Sequence, residues 1–249
     1  RRQRQMCIRD SSYWCWSISY ETLPTREHLP FGSSVMKVSI AVINYGMGNL
    51  RSVENALLKI GTNPVLVESP AEVGDVDGLL LPGVGALEDC VDGLRASKFD
   101  DFVRGWIREN RPFMGVCLGL QALFEVSEER DVRGLGVFSG SVVRFLSKPN
   151  FKIPLMGWNT ANLAQPDSPF WANLDPSSER FYFVHSYYAK PEDPSLVLTT
   201  TEYDHVFTSS IAKGNILACQ FHPEKSQKKG LQIYANFASI CDKCFSMAV

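Results

Sequence analysis

Short apolar runs alternate with amphipathic segments along the first half of the chain, starting near Lys37. Four apolar runs predict buried strands, at 37–43, 64–68, 77–81 and 112–116. Between them, apolar residues spaced three and four apart predict helices, over 50–60, 86–96 and 99–110. This order predicts a parallel sheet with right-handed crossovers, in which the loops that follow the strands share one edge.

The pattern changes after Glu129. Short runs separated by turns rich in Pro, Gly, Asp and Ser predict further strands, some of them antiparallel, at 136–145, 155–162, 181–189, 196–201, 206–212 and 216–221. A helix is predicted to close the chain over 228–244. The predicted fold class is therefore α/β: an open, mostly parallel twisted sheet with helices on both faces and some antiparallel strands in the C-terminal half.

Residues 1–35 do not share this periodicity. They contain several arginines and aromatic residues, and they lack the long apolar segment of a signal peptide. We expect Met36 to be the functional start, residues 1–35 to be a non-native or disordered leader, and 36–249 to form one domain.

Composition narrows the class of protein. A chain of 249 residues with 45% hydrophobic residues suits one globular domain, or one domain with an appendage. A net charge of −2 and a pI of about 6.1 give no sign of a nucleic-acid partner. No run approaches the ~18 consecutive apolar residues of a membrane span, so we expect no membrane association.

The seven cysteines are scattered and form neither a disulfide framework nor a zinc-binding spacing. Cys241 and Cys244 make a C-x-x-C pair, but no second pair and no histidine lie near it in the sequence. We therefore expect no metal, no organic cofactor and a reducing, cytoplasmic location.

The segment Gly115-Val116-Cys117-Leu118-Gly119 carries the first candidate for chemistry. A nucleophile at a sharp strand-to-helix turn occupies strained backbone, so the residues two positions away must lack side chains. The turn places the sulfur at a helix N-terminus, which favours the thiolate. The alternative is a small buried residue at a tight junction, because free cysteine often serves as a core hydrophobe.

A thiol nucleophile needs a base and a group that orients the base. Among the four histidines, His222 is the best candidate, because it ends the last predicted strand at the same edge as Cys117. Glu224 lies two residues further on, beyond Pro223, and could accept the other ring N–H. The alternative is a surface histidine at a strand end. The other histidines lie in the leader, inside an apolar run and in a predicted turn: His28, His185 and His205.

Three further motifs accompany Cys117, at 44–50, 82–85 and 183–187, and the His-Pro-Glu run extends to a fourth at 222–226. Together they resemble the glutaminase subunits of imidazole glycerol phosphate synthases, which are class I, triad-type glutamine amidotransferases. The resemblance covers essentially all of 37–244. It implies the amidotransferase fold and the hydrolysis of L-glutamine to glutamate and ammonia.

The resemblance also implies roles for particular residues. Cys117 would attack the amide carbon, His222 would shuttle protons, and Glu224 would orient His222. Backbone N–H groups would stabilise the oxyanion at Val84, Gly85 and Leu118. Glutamine would be contacted by Gln121, Glu129, Ser186 and Tyr187.

In the family, ammonia passes to a (β/α)8-barrel cyclase, with which the glutaminase forms a heterodimer. The cyclase makes imidazole glycerol phosphate and an aminoimidazole carboxamide ribonucleotide in histidine biosynthesis. Positions that face this partner are matched here by Asn49, Trp158, Tyr182 and Lys225. On residue type alone, a tryptophan such as Trp158 suits an interface or a core about equally.

Other functions remain open on the sequence. The chain could be the glutaminase of another synthase, such as one that makes pyridoxal phosphate or anthranilate. It could also be a non-catalytic binding subunit of the same fold, although the complete Cys-His-Glu set argues against this. A cysteine peptidase that shares the elbow fits the His-Pro-Glu run less well.

Overall fold

The computed structural model describes residues 38–248, with side chains described as far as Cys244. The predicted leader, 1–35, lies outside the described residues. The five cysteines within the described range are free thiols, and four of them are buried.

The first half of the described chain alternates strands and helices as predicted. Its elements are β1 (Ser39–Ile43), α1 (Leu50–Lys59), β2 (Asn63–Val67), β3 (Gly78–Leu81), α2 (Leu87–Ala96), α3 (Phe99–Arg108), β4 (Phe113–Val116) and α4 (Leu118–Gln121). The second half is mostly strands until its last helix. Its elements are β5 (Phe124–Ser127), β6 (Phe138–Arg144), β7 (Leu155–Thr160), β8 (Asn162–Leu163), β9 (Arg180–His185), β10 (Tyr187–Pro191), β11 (Val197–Glu202), β12 (Val206–Lys213), β13 (Ile216–Cys219) and α5 (Gln227–Ala248).

Eight strands form the central sheet, in the order β2-β1-β3-β4-β13-β12-β11-β8. The strands from β2 to β13 in this order are parallel, and those from β13 to β8 are antiparallel. The predicted α/β class is confirmed, and so are its antiparallel C-terminal strands. The order matters for the site, because β3, β4 and β13 are neighbours and end at one edge.

Two smaller sheets were not predicted. The sequence predicted a single strand over 181–189, but the chain breaks at Ser186, where β9 leaves its pairing with β7 and β10 begins to pair with β6. The prediction over 155–162 likewise becomes two strands, β7 and β8. Both misses have one physical cause: a continuous strand-like pattern does not reveal which partner strand each part of it bonds to.

Both faces of the central sheet are covered by helices, as predicted. Along β1, Ile40 and Val42 belong to the apolar core that contains buried residues of α1 and α5. Their neighbours Ala41 and Ile43 belong to the opposite core, with α2 and α3. This alternation is the period-two pattern of a strand that is buried on both sides.

The turn at Cys117 has the geometry that its glycines predicted. Cys117 has a φ of 54°, which a side-chain-bearing residue rarely adopts. A Cβ added at Gly119 would lie 2.1 Å from the Leu81 carbonyl oxygen, and one at Gly115 would lie 2.5 Å from the Gly119 oxygen. The strand therefore turns sharply because neither glycine has a side chain. The helix that follows, α4, is only four residues long.

Gly119→Ala tests this close approach. Because the new methyl group would meet the Leu81 backbone, we expect the free energy of unfolding to fall by about 1–3 kcal/mol or more. Denaturant unfolding measures the loss. Gly105→Ala is the matched control, since an added Cβ there meets nothing within 4 Å and alanine favours a helix by up to ~1 kcal/mol. Equal stability of the two variants would contradict the steric explanation.

Candidate active site

A cavity of about 350 Å³ opens at the edge where β3, β4 and β13 end. Its volume falls in the range of small-molecule sites. The predicted residues that line it are Val84, Gly85, Cys117, Leu118, Gln121, Glu129, Ser186, Tyr187, His222 and Lys225. The structure thus brings to one cavity every residue predicted for the oxyanion site and for substrate binding, together with the predicted nucleophile and base.

Glu224 stands behind His222 and is hydrogen-bonded to it. His222 Nδ1 lies 2.7 Å from Glu224 Oε1, and each side chain is only 2% exposed. Burial by itself would lower the pKa of His222. The interactions of its ring with Cys117 and Glu224 outweigh burial and raise this pKa from 6.5 to about 10. The ring is therefore a cation at neutral pH, next to the thiol.

The backbone of His222 is held by strand β9. Its N–H donates to the Tyr182 carbonyl over 2.9 Å. The Ser226 hydroxyl donates to the His222 carbonyl over 2.6 Å and accepts from the Tyr182 N–H over 3.0 Å. Pro223 begins the short turn between these residues. These buried hydrogen bonds thus fix the backbone from which the imidazole projects.

Gln121 links the cavity wall to Gln220, the residue that follows the last strand. Its Nε2 donates to the Tyr187 carbonyl at 2.9 Å and to Gln220 Oε1 at 3.0 Å. Since an amide nitrogen carries two hydrogens, both are used inside the protein, and its oxygen is the atom left for a donor in the cavity. Gln220 in turn directs its Nε2 to Cys117 Sγ at 3.6 Å.

Sequence reasoning missed Gln220. A signal was present, because Gln220 precedes His222 by two residues, and alternate residues of an extended chain face the same side. It missed His185 too, which lines the cavity. Burial lowers the pKa of His185 to about 3, despite a hydrogen bond to the Tyr187 carbonyl at 2.7 Å. His185 is thus a neutral group that supports the cavity wall.

Glu129 connects the cavity to the start of α2. Its Oε2 accepts a hydrogen bond from the Leu87 N–H over 2.9 Å, and its own N–H donates to Ser127 Oγ over 3.0 Å. The carboxylate therefore lies where the loop that contains Gly85 enters the helix. An anionic group at a helix N-terminus is favourably placed.

Three of the four residues predicted to face a partner form one surface cluster. The rings of Trp158 and Tyr182 pack edge to face with centroids 6.2 Å apart, and Lys225 Nζ lies 5.9 Å from the centre of the Tyr182 ring. Trp158 is 37% exposed and its neighbour Met156 is 63% exposed, so Trp158 is not a core residue. Asn49, the fourth, is exposed at the start of α1.

Within residues 38–248, no group of three or more His, Cys, Asp or Glu side chains is arranged to hold a metal ion. No helix in that range is both long enough and apolar enough to cross a membrane.

Comparisons with known proteins agree with this geometry. Residues 41–240 match the family "Glutamine amidotransferase class-I". The chain is 47% identical over 203 residues to the imidazole glycerol phosphate synthase subunit HisH of Thermosynechococcus vestitus, covering 81% of this chain and 97% of that protein. It is 45% identical over 207 residues to HisH of Syntrophotalea carbinolica, covering 81% of this chain and 100% of that one.

Solved structures share the fold at lower identity. The structure of PurLQS from Thermotoga maritima aligns with a TM-score of 0.66 at 19% identity, over 82% of this chain and 99% of that one. A glutamine amidotransferase from the same organism aligns with a TM-score of 0.53 at 16% identity, over 85% and 86%. The chain belongs to the class-I glutamine amidotransferases. Within that class it belongs with the HisH subunits of imidazole glycerol phosphate synthase.

The pKa of His222 makes stability depend on pH. Because the folded protein raises this pKa from 6.5 to about 10, the stabilisation is complete below pH 6.5 and is lost as the pH rises through about 10. The Glu224→Gln variant removes one cause of the shift. We expect its deficit in unfolding free energy to be largest below pH 6.5 and to shrink towards pH 10.

Denaturant unfolding at several pH values measures this difference. Glu88→Gln is the control, since its exposed pair with Arg130 keeps a charged guanidinium throughout the range and the deficit should stay flat. A flat deficit for Glu224→Gln as well would contradict the assignment of the raised pKa to the Glu224 carboxylate.

Proposed function

We propose that this chain is the glutaminase subunit of an imidazole glycerol phosphate synthase and that it hydrolyses L-glutamine through a cysteine thioester. The observation that carries the proposal is the convergence of Cys117 and the His222–Glu224 pair on one cavity at the edge of an amidotransferase sheet. The identity of 45–47% with HisH subunits over most of their length supports the choice of synthase.

The reaction begins with the thiolate of Cys117. It attacks the side-chain amide carbon of glutamine, and the carbonyl oxygen becomes an oxyanion. His222, protonated at neutral pH because its pKa is raised to about 10, gives its proton to the departing nitrogen. The C–N bond breaks, ammonia leaves, and a γ-glutamyl thioester remains on the sulfur.

Water completes the reaction. Neutral His222 takes a proton from the water, whose oxygen attacks the thioester carbon. A second oxyanion forms and collapses, the C–S bond breaks, and glutamate and the thiolate are released. Glu224 keeps the ring in one orientation and stabilises its charged form in both halves of the cycle. Both oxyanions would be met by backbone N–H groups of Val84, Gly85 and Leu118.

Glutamine would be held by the remaining residues that line the cavity. The Glu129 carboxylate suits the substrate's ammonium group, and the oxygen of Gln121 can accept a further hydrogen bond. The Ser186–Tyr187 backbone would hold the α-carboxylate end. This segment is held in a defined position, because the Tyr187 carbonyl is hydrogen-bonded to both Gln121 and His185.

The ammonia would pass to a separate (β/α)8-barrel cyclase that binds the exposed cluster of Trp158, Tyr182 and Lys225 and also contacts Asn49. The two subunits would form a heterodimer that makes imidazole glycerol phosphate and an aminoimidazole carboxamide ribonucleotide in the cytoplasm. Within this chain, 36–249 would be the glutaminase domain and 1–35 a leader.

Cys117→Ala removes the nucleophile. We expect glutamine hydrolysis to fall by at least about 10³-fold, as loss of a triad nucleophile does elsewhere, while cyclisation with ammonium salts by the assembled synthase continues. Coupled assays with glutamine or ammonium chloride separate the two activities. Cys244→Ala, which changes a half-buried thiol outside the cavity, is the control. Glutamine-dependent turnover in Cys117→Ala would refute the nucleophile.

Trp158→Ala tests the proposed interface. Truncation of an aromatic anchor at the centre of an interface costs about 1–3 kcal/mol, so we expect binding of the cyclase to weaken by about 10- to 100-fold. Calorimetric titration with the purified barrel cyclase measures it. Leu58→Ala is the control, because Leu58 is 54% exposed but lies near the end of α1 remote from Asn49. Equal affinities for the two variants would place the interface elsewhere.

A further inference from the structure

The sulfur of Cys117 lies at the wall of the cavity with little exposure to solvent. The residue is only 5% exposed. Three of the titratable groups that interact with it are neutral at ordinary pH, because burial raises the pKa of the Tyr45 hydroxyl and of the Cys219 thiol, and raises that of the Cys90 thiol to about 12. His222 is the positively charged group that interacts with the sulfur. A buried thiolate needs such partners, since water does not solvate it.

The helix dipole provides little further help. The helix that begins after Cys117, α4, ends at Gln121, and a macrodipole builds up from the peptide units of several turns. One turn leaves few aligned dipoles near the sulfur. A hydrogen-bond donor in direct contact with Sγ would therefore have a large effect.

Gln220 supplies such a donor. Its side chain is completely buried, and its Nε2 lies 3.6 Å from Cys117 Sγ. The orientation of this amide follows from its neighbours. The Tyr187 carbonyl can only accept, so Gln121 must present nitrogen to it. The same nitrogen donates to Gln220, which must present its oxygen there. The NH₂ group of Gln220 is thus the end that faces the sulfur.

We propose that Gln220 is a catalytic residue that donates a hydrogen bond to the Cys117 thiolate, and that Gln121 is the positioning residue that holds Gln220 in the donating orientation. The proposal rests on the assignment of Cys117 as the nucleophile. It adds a second stabilising partner for the thiolate besides His222.

The hydrogen-bond chain also joins the substrate cavity to the nucleophile. It runs from the Tyr187 carbonyl, in the wall of the cavity, through Gln121 and Gln220 to Cys117. A displaced Tyr187 carbonyl would release Gln121, and Gln220 would then be free to turn its oxygen to the sulfur. An oxygen there would repel the thiolate, so the orientation of the wall and the reactivity of the thiol are coupled.

The pH dependence of Cys117 alkylation tests the proposal without requiring glutamine turnover. Gln220→Met keeps the length of the side chain and removes the donor. Iodoacetamide modification of Cys117, followed by mass spectrometry of its peptide, reports the thiolate of this cysteine alone. We expect the midpoint of the alkylation profile to lie about one pH unit higher, so that alkylation at pH values below the wild-type midpoint slows by about tenfold, as expected for a lost hydrogen bond to a charged group.

Asn236→Leu is the matched control. Asn236 is another buried amide, but its Nδ2 donates to the Phe170 and Ala172 carbonyls, away from the cavity. Loss of a buried amide alone would lower the stability of both variants without moving the alkylation profile. An unchanged profile in Gln220→Met would overturn the proposal. A wild-type protein that alkylates normally but does not hydrolyse glutamine would contradict the proposed function and leave the role of Gln220 standing.

A measurement on the unaltered protein covers the case in which Gln220→Met does not fold. In protein labelled with ¹⁵N-glutamine, the side-chain amide protons of Gln220 should shift as the Cys117 thiol ionises, and Cys117→Ala should abolish that shift. The Gln232 amide, which donates to Asn236 within α5 and has no contact with Cys117, is the internal reference. A Gln220 signal that ignores the state of Cys117 would refute the hydrogen bond.

Discussion

The close approach of Gly119 to the Leu81 carbonyl is the contact on which the site depends. It brings the turn after β4 against the end of β3, so that Cys117 takes a strained conformation with its sulfur towards the cavity. The loop after β3 also approaches this turn closely. It can do so because Gly83 has no side chain: a Cβ there would lie 2.4 Å from the Leu118 Cβ. The nucleophile and the loop proposed to stabilise the oxyanion are therefore placed together by two neighbouring strands.

The order of the strands in the sheet brings the base, His222, close to Cys117. Because β13 is the other neighbour of β4, the Cys117 N–H donates to the Cys219 carbonyl over 2.7 Å. His222 follows Cys219 by three residues and thus arrives at the same edge. The parallel sheet brings residues that are distant in sequence into contact at the carboxyl ends of its strands, which is where open α/β sheets bind their ligands.

Buried polar groups fix the orientation of the side chains at this edge of the sheet. His222, Glu224 and Gln220 are each almost completely removed from water, and each has a hydrogen-bond partner that fixes its direction. The surface cluster around Trp158 is linked to the same hydrogen-bond network, because Tyr182 packs against Trp158 and its carbonyl accepts a hydrogen bond from the His222 N–H. A partner that binds this cluster would therefore contact the strand that holds the backbone of the base.

The amino-acid sequence by itself determined the local features of the protein. The strands of the first half, its three long helices and the sharp turn at Cys117 could be predicted, because apolar periodicity and glycine spacing act over a few residues. The pairing of His222 with Glu224 could be predicted for the same reason, since one short turn separates them. The α/β class follows from the order of these elements.

Only the tertiary structure decided how distant residues meet. The bond from Gln220 to Cys117, the neutral state of His185 and the bond between Glu129 and Leu87 all depend on contacts between separate strands and loops. The break at Ser186, where one predicted strand becomes strands of two sheets, depends on them as well. Local patterns show which side of a strand is apolar, but they do not show which strand lies beside it. The burial and the hydrogen bonds of these residues depend on that neighbouring strand.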